Sequence, residues 1–291
     1  MALTINTNIS SLVAQNNLAK ATTSLNKAIE RMTTGYKINH ASDNAAGYSI
    51  ARNWETQLGS LDVAADNAAM GADMMQTLED NYSLISSHLQ RVRDLTEQAA
   101  NGTYGADSLS AIQSEMKARL DEIDRIAANC DYNGIKLMDG THGSADIKLQ
   151  VGLYSGGDSQ ITLDKSLFKA ADSGTLFSTY TTDDTLTTSA LIAAKCAGSS
   201  TASGMLDEID KVIKQISTRT TTLGAAQNRI ESAIESIGVQ SENITSSLST
   251  LRDADIASES SKYIQAQILQ QAAATLLSTA NQTPSIALNL L

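Results

Sequence analysis

The chain has 291 residues, a formal net charge of −11 and a sequence pI near 4.7, a balance that excludes a nucleic-acid-binding surface, which needs clustered Lys and Arg. Aromatic residues make up 4% and there is a single proline, so the composition is that of long helices and not of an aromatic-rich globule. The length allows one large domain or two ordinary ones.

In chain order, the first 19 residues carry no ionisable side chain, and Lys20 is the first that does. Asn, Gln, Ser and Thr interrupt this stretch too often for a membrane span, which needs about 20 predominantly apolar residues. With no basic segment ahead of a compact apolar run, it does not read as a cleaved signal peptide either. What remains is a neutral helix carrying an apolar stripe. Residues 33–47 have no periodicity and read as a connector or hinge with room for a short helix.

From Leu61 a three-four alternation runs through Ala64, Ala68, Gly71, Met75, Leu78, Tyr82, Ile85, Leu89, Val92, Thr96 and Ala99, the seam of a helix packed lengthwise on others. Asn101-Gly102 ends it. A second helix, capped by Asp107 or Ser108, presents Leu109, Ile112, Met116, Leu120, Ile123 and Ala127. The short glycine-containing loop between them makes the two an antiparallel pair.

Asp131-Tyr132-Asn133-Gly134 is a turn. The alternating segments 147–151 and 160–163, separated by Ser155-Gly156-Gly157-Asp158, predict a β-hairpin. From Ser173 to Gly204, 14 of 32 residues are Ser or Thr, a surface excursion without a core of its own.

The longest seam runs Leu206, Ile209, Ile213, Ile216, Thr220, Leu223, Gln227, Ile230, Ile234, Ile237, Ser241, Ile244, Leu248 and Leu251, predicting a helix on the order of 70 Å long. The last 29 residues, from Tyr263, contain no Asp, Glu, Lys, Arg or His.

The parts nest. The N-terminal arm and connector (1–43) mirror the C-terminal arm (252–291), and the first part of the helical core (44–140) mirrors the return helix (205–251). A β-hairpin region (141–171) and the variable Ser/Thr-rich excursion (172–204) lie in the middle. The expected fold is mainly α: a long antiparallel helical rod or coiled-coil bundle with a small β-hairpin region, both terminal arms pairing as an inner coiled coil.

No catalytic, cofactor or metal constellation is present. His40, His88 and His142 fall in three separate segments, and no zinc spacing, phosphate loop or nucleophile elbow occurs. The acidic group Asp121, Glu122 and Asp124 reads as a solvated helix face paired with Arg119 and Arg125. Met70, Met74 and Met75 read as core filling. Cys130 and Cys196 either pair or stay as free thiols, their separation being unconstrained by sequence.

The stretch LTINTNISSLVAQNNLAKATTSLNKAIERMTTGYKINHASDNAAGYSIA resembles the N-terminal signature of bacterial flagellin, as do LQRVRDLTEQAANGTYG, IQSEMKARLDEIDRIA and DYNGIKLMDG. LGAAQNRIESAI, DADIASES and KYIQAQILQQAAATLLSTANQTPSIALNLL resemble its C-terminal signature, so the likeness covers about 1–151 and 205–291. Asn44, where a second acidic residue is common, and the two cysteines depart from the pattern.

The resemblance implies a non-enzymatic subunit of the extracellular flagellar filament, exported by the flagellar type III apparatus without signal-peptide cleavage. Its partners would be copies of itself, the flagellar cap and hook-junction proteins, and an export chaperone at the C-terminal arm. The vertebrate Toll-like receptor for flagellin would contact Gln90, Arg91, Leu95, Ile112 and Glu115, with Asp94 and Met116 departing from the commonest pattern. The alternatives are a hook–filament junction protein or a secreted coiled-coil effector.

In a helical homopolymer each residue meets its own copies, and a charge near the axis would join a column of like charges costing about 1–4 kcal/mol per pair. Neutral arms avoid this. The expected assembly seam is Ile5, Ile9 and Leu12 with Leu269, Ala273, Leu276 and Ala280, Ala266 continuing it. Alone, such arms bury too little to offset chain entropy, so disorder before assembly is expected.

Overall fold

The computed structural model describes residues 8–140, 146–177 and 199–288. Ile5, His142 and Cys196, singled out above, lie outside the described residues. Six helices are described: α1 (Ile9–Thr34), α2 (Ala45–Ala100), α3 (Ala106–Asn129), the short α4 (Ser173–Phe177), α5 (Ser199–Arg252) and α6 (Ile256–Leu288). Two small antiparallel ladders join β1 (Asp131–Tyr132) to β2 (Ile135–Lys136), and β3 (Ile147–Gln150) to β4 (Gln160–Leu163). The mainly helical architecture with a central hairpin is as expected. The chain divides into two compact units, one reaching Leu58 and resuming at Glu242, the other Gly59–Ser241.

In the second unit the seam read from Leu61 to Ala99 is buried at every position, as its unbroken three-four spacing requires. Ile112, Met116, Leu120, Ile123 and Ala127 of α3 are buried too. Gly105 and not Asp107 or Ser108 is the N-cap of α3, which begins at Ala106. Asp107 instead sits in the first turn, where the helix dipole favours a carboxylate. On α5 the buried positions are Ala202, Met205, Ile209, Val212, Ile216, Arg219, Leu223, Ala226, Ile230 and Ile237. The expected Ile213, Thr220, Gln227 and Ile234 are only half-buried, so the stripe is rotated by one residue at every second position.

Asn133 (φ 50°) and Gly134 (φ 80°) form the two-residue loop of a small hairpin in which Tyr132 faces Ile135. The larger hairpin sets Ile147 opposite Leu163 and Gln150 opposite Gln160. After it, residues 165–177 turn inward. Both phenylalanines of the chain, Phe168 and Phe177, are fully buried there with Leu167, Ala171 and Leu176.

Polar side chains fasten this segment. Tyr82 Oη donates to the Leu167 carbonyl at 2.9 Å, and Arg219, itself buried, donates to the carbonyls of Lys169 and Ala170. Asp124 accepts from Ser173 N at 2.6 Å and from Ser173 Oγ at 3.0 Å.

Three expectations change accordingly. The Ser/Thr-rich excursion does not lack core throughout, because α4 and Ala202 are buried in the main cluster. Its residues 178–198 lie outside the described residues. Asp124 is a half-buried cap and not a solvated residue, while Glu122 does pair with Arg125 at 2.5 Å. Arg119 pairs with Glu115. Met74 and Met75 are core, but Met70 is exposed. Cys130 is a buried free thiol whose pKa is pushed up to about 11, chiefly by burial and then by the Asp131 carboxylate.

Burial also raises the Asp124 pKa above 3.8, and the hydrogen bonds from Ser173 offset this only in part. A raised folded-state pKa means that the native state holds the proton after the unfolded chain has released it. This stabilisation is complete below 3.8 and is lost as pH rises through the folded value. In urea titrations from pH 3 upward, wild type should lose stability across that window relative to Asp124→Asn. Parallel stability curves would show that Asp124 is not desolvated.

Candidate assembly surface

In the first unit α1 and α6 lie side by side. Asn8 Nδ2 donates to the Ala280 carbonyl (2.7 Å), Gln270 Nε2 to Thr22 Oγ1 (3.2 Å), and Arg31 pairs with Glu259 (3.5 Å). Rising numbers on one helix meet falling numbers on the other, so the pair is antiparallel. The facing residues are Ser11, Ala14, Leu18, Ala21, Leu25 and Ala28 of α1. Opposite them stand Glu259, Tyr263, Ala266, Gln270, Ala273, Leu277 and Ala280 of α6. Both sets step by three and four, as coiled-coil seams do, and the alanines allow close approach.

The larger apolar residues point the other way. Ile9, Leu12, Val13 and Ile29 on α1, and Ile264, Ile268, Leu269 and Leu276 on α6, are exposed. The fully buried seam positions are small, apart from Glu259, with Leu18, Leu25 and Leu277 half-buried between them, while eight larger apolar residues stay in water. Burying one Ile or Leu is worth about 1.5–3 kcal/mol. Large apolar side chains left in water in this number point to an interaction surface.

Of the expected seam residues, Ala273 and Ala280 do face α1. Leu269 and Leu276 do not, because the α6 heptad runs 266, 270, 273, 277, 280 and carries Leu277 inward instead. Leu276 is 63% exposed, and Ile9 and Leu12 are exposed with it. Periodicity alone could not separate the two registers, since Leu-Leu occupies 276 and 277.

Apart from Lys20, charge on the pair gathers at one end, in Lys27–Arg31 and Glu259–Lys262. Glu259 is buried, held by Lys262 at 2.7 Å and Arg31 at 3.5 Å, and lies in the first turn of α6, where the helix dipole favours it. Sequence reading missed this triad, because Arg31 lies more than 200 residues from Glu259 and Lys262 in the chain.

The five receptor-contact positions implied by resemblance lie in the second unit and split by depth. Gln90 is exposed, and Arg91 donates to Glu115 at 2.9 Å, linking α2 to α3. Leu95 is 1% exposed and Ile112 is 9% exposed, so both are core and not surface. The stripe of α2 widens there because the helix packs against α5 as well, through Arg93–Asp210 at 2.6 Å.

With this geometry in view, residues 5–143 match the bacterial flagellin N-terminal helical region and residues 206–291 the bacterial flagellin C-terminal helical region. The chain belongs to the bacterial flagellin family.

Flagellin of Bacillus subtilis (strain 168) is 33% identical, with 99% of each chain covered. Flagellin of Listeria innocua serovar 6a is 32% identical over 97% of each chain. A solved Vibrio parahaemolyticus structure described as a flagellar hook-associated protein shares the fold, with a TM-score of 0.59 at 14% identity. That match covers 72% of this chain and 100% of that one. The chain is a flagellar filament subunit, and its flagellin relatives stand over the junction-protein and effector alternatives. Flagellin homologues form the filament outside the cell, and the family is structural. No described helix is long and apolar enough to cross a membrane.

The half-exposed Arg91–Glu115 pair should contribute little, about 0.2–1 kcal/mol of coupling in a double-mutant cycle with alanine. Leu95→Ala should cost about 2–5 kcal/mol in urea unfolding. A near-neutral Leu95→Ala would contradict its placement in the core.

Proposed function

We propose that the chain polymerises by burying the outer face of the α1–α6 pair against the same face of neighbouring copies. The observation that carries this is the pattern of the pair: alanines fully buried in the seam, and Ile9, Leu12, Ile264, Ile268, Leu269 and Leu276 exposed on it. Every copy presents the same surface, so the contact repeats along a helical array. The neutral composition of the arms suits such repetition, because each side chain stays close to its own copies without like-charge repulsion.

The apolar faces would have to be shielded before assembly. This supports the reading that an export chaperone covers the C-terminal arm, and that the subunit leaves by the flagellar type III route without loss of a signal peptide. Cap and hook-junction proteins are the further partners in this scheme. Recognition by a vertebrate Toll-like receptor rests on the polar surface of Gln90, Arg91 and Glu115, with Leu95 and Ile112 acting from beneath to hold it in place.

Leu276→Glu tests the assembly surface. The side chain is exposed in the single chain, so thermal unfolding of the monomer should be unchanged. In a buried contact the substitution loses about 1.5–3 kcal/mol of apolar burial and adds several kcal/mol of desolvation per subunit. Sedimentation should show little or no polymer, and cells carrying this variant alone should swim poorly. Wild-type polymer yield from this variant would refute the surface.

Receptor recognition has its own test. Arg91→Ala should weaken activation of receptor-bearing cells by about tenfold or more, the loss typical of a central arginine anchor, while polymerisation proceeds. Equal potency would remove these positions from the contact.

A further inference from the structure

Three passes of the chain meet where α1 ends and α6 begins. Gly35, at φ +75°, stops α1 in the left-handed conformation and donates its N–H to the Arg31 carbonyl at 2.9 Å. Tyr36 then forms an antiparallel bridge with Asp253. Lys37 N–H donates to the Arg252 carbonyl at 2.7 Å, and Ala254 N–H to the Gly35 carbonyl at 2.8 Å. The Arg252 guanidinium lies 3.8 Å from the centre of the Tyr36 ring and donates to Glu55 on α2. Lys37 Nζ reaches the Thr250 carbonyl at 2.8 Å, in the last turn of α5. Asp255 accepts from Ala257 N at 2.9 Å and opens α6.

The alanines of the seam between α1 and α6 do not fix its register, and the register-specific ion pair Arg31–Glu259 sits only at the end next to the bridge. Ala14, Ala21 and Ala28 repeat every seven residues, as do Ala266, Ala273 and Ala280. In the observed alignment each alanine stands level with a larger residue of the other helix, Ala14 with Leu277 and Ala21 with Gln270, and sliding one helix by seven residues, about 10 Å, would again set the alanines against larger residues. The clasp forbids that slide. Between the bridge and the helix ends lie one residue on the α1 side, Gly35, and two on the α6 side, Ala254 and Asp255. Two extended residues span at most about 7 Å, less than the slip needs. With the clasp open, the whole connector between α1 and α2 would become slack.

We propose that Tyr36, Arg252 and Glu55 form a clasp that sets the register in which α1 pairs with α6. The antiparallel alignment of Asn8 with Ala280, Thr22 with Gln270 and Arg31 with Glu259 continues directly into Tyr36 with Asp253. These are positioning residues, acting on the arm pair and through it on the surface proposed above for polymerisation, a reading on which this inference rests.

The test reads register directly. In a Cys130→Ala/Cys196→Ala background, spin labels at Thr23→Cys and Gln271→Cys are measured in filaments diluted with unlabelled subunits. With the clasp intact the distance distribution should have one peak. Tyr36→Ala/Arg252→Ala should add a second, longer-distance population, its labels offset along the helix axis by one heptad, about 10 Å. A single unchanged peak would overturn the clasp.

If the open variant does not polymerise, a staple decides. Tyr36 and Asp253 form a pair without direct hydrogen bonds, whose Cα atoms stand about 4.5 Å apart, within reach of a disulfide. Tyr36→Cys/Arg252→Ala/Asp253→Cys should polymerise when oxidised and fail when reduced. Failure in both states, or success in both, would also overturn it. Failure of the parent chain to polymerise would instead refute the assembly reading.

Discussion

The alanine seam between α1 and α6 is the contact on which the rest depends. Close packing of small residues gives two helices a shared axis while burying little apolar area, so the gain to a single chain is modest. Ile9, Leu12, Ile264, Ile268, Leu269 and Leu276 are thereby left exposed on the single chain. The same choice leaves register to other groups, since a seven-residue repeat of alanines is indifferent to a seven-residue slide. The Arg31–Glu259 ion pair and the backbone bridge at Tyr36 and Asp253 lie where the two helices meet their connectors and can supply it.

The second unit is built on the opposite economy. Its seam residues are Leu, Ile, Met and Tyr, fully buried against α3 and α5, and it takes both phenylalanines from a chain that has two. Its polar side chains work inward. Tyr82, Arg219 and Asp124 each satisfy backbone groups of residues 167–173, which would otherwise be buried without partners. Among the described residues no buried side-chain nitrogen or oxygen lacks a hydrogen bond. A unit of this kind holds its shape as a single chain, which is what a repeating subunit requires before assembly begins.

Family membership and geometry answer different questions. The matches over both helical regions establish a filament subunit. They do not say which side of α6 meets the next copy, and there the exposure of Ile268, Leu269 and Leu276 supports a particular face. The five positions that resemblance assigns to receptor contact show the same division: burial separates Leu95 and Ile112 from Gln90, Arg91 and Glu115.

Much of the fold was legible because long helices repeat their environment. From Leu61 to Ala99 each three-four step met the same neighbours, so spacing alone located the buried face, and alternation likewise located β3 and β4. The α5 stripe was read one residue off at alternate positions, because Met205, Val212 and Ala226 lie next to equally plausible Leu206, Ile213 and Gln227. The inward turn of residues 165–177 was hidden by its Ser- and Thr-rich sequel. Its anchors, Asp124 and Arg219, come from helices about 50 residues away.

By itself the sequence determined the neutral arms and the helical periods, since these depend on residue type and local spacing. Only the tertiary structure decided which of Leu276 and Leu277 faces α1, which carboxylates are buried, and where Tyr36 finds Arg252. Those outcomes turn on rotations of less than a third of a helical turn and on partners more than 200 residues apart, and no local pattern encodes either.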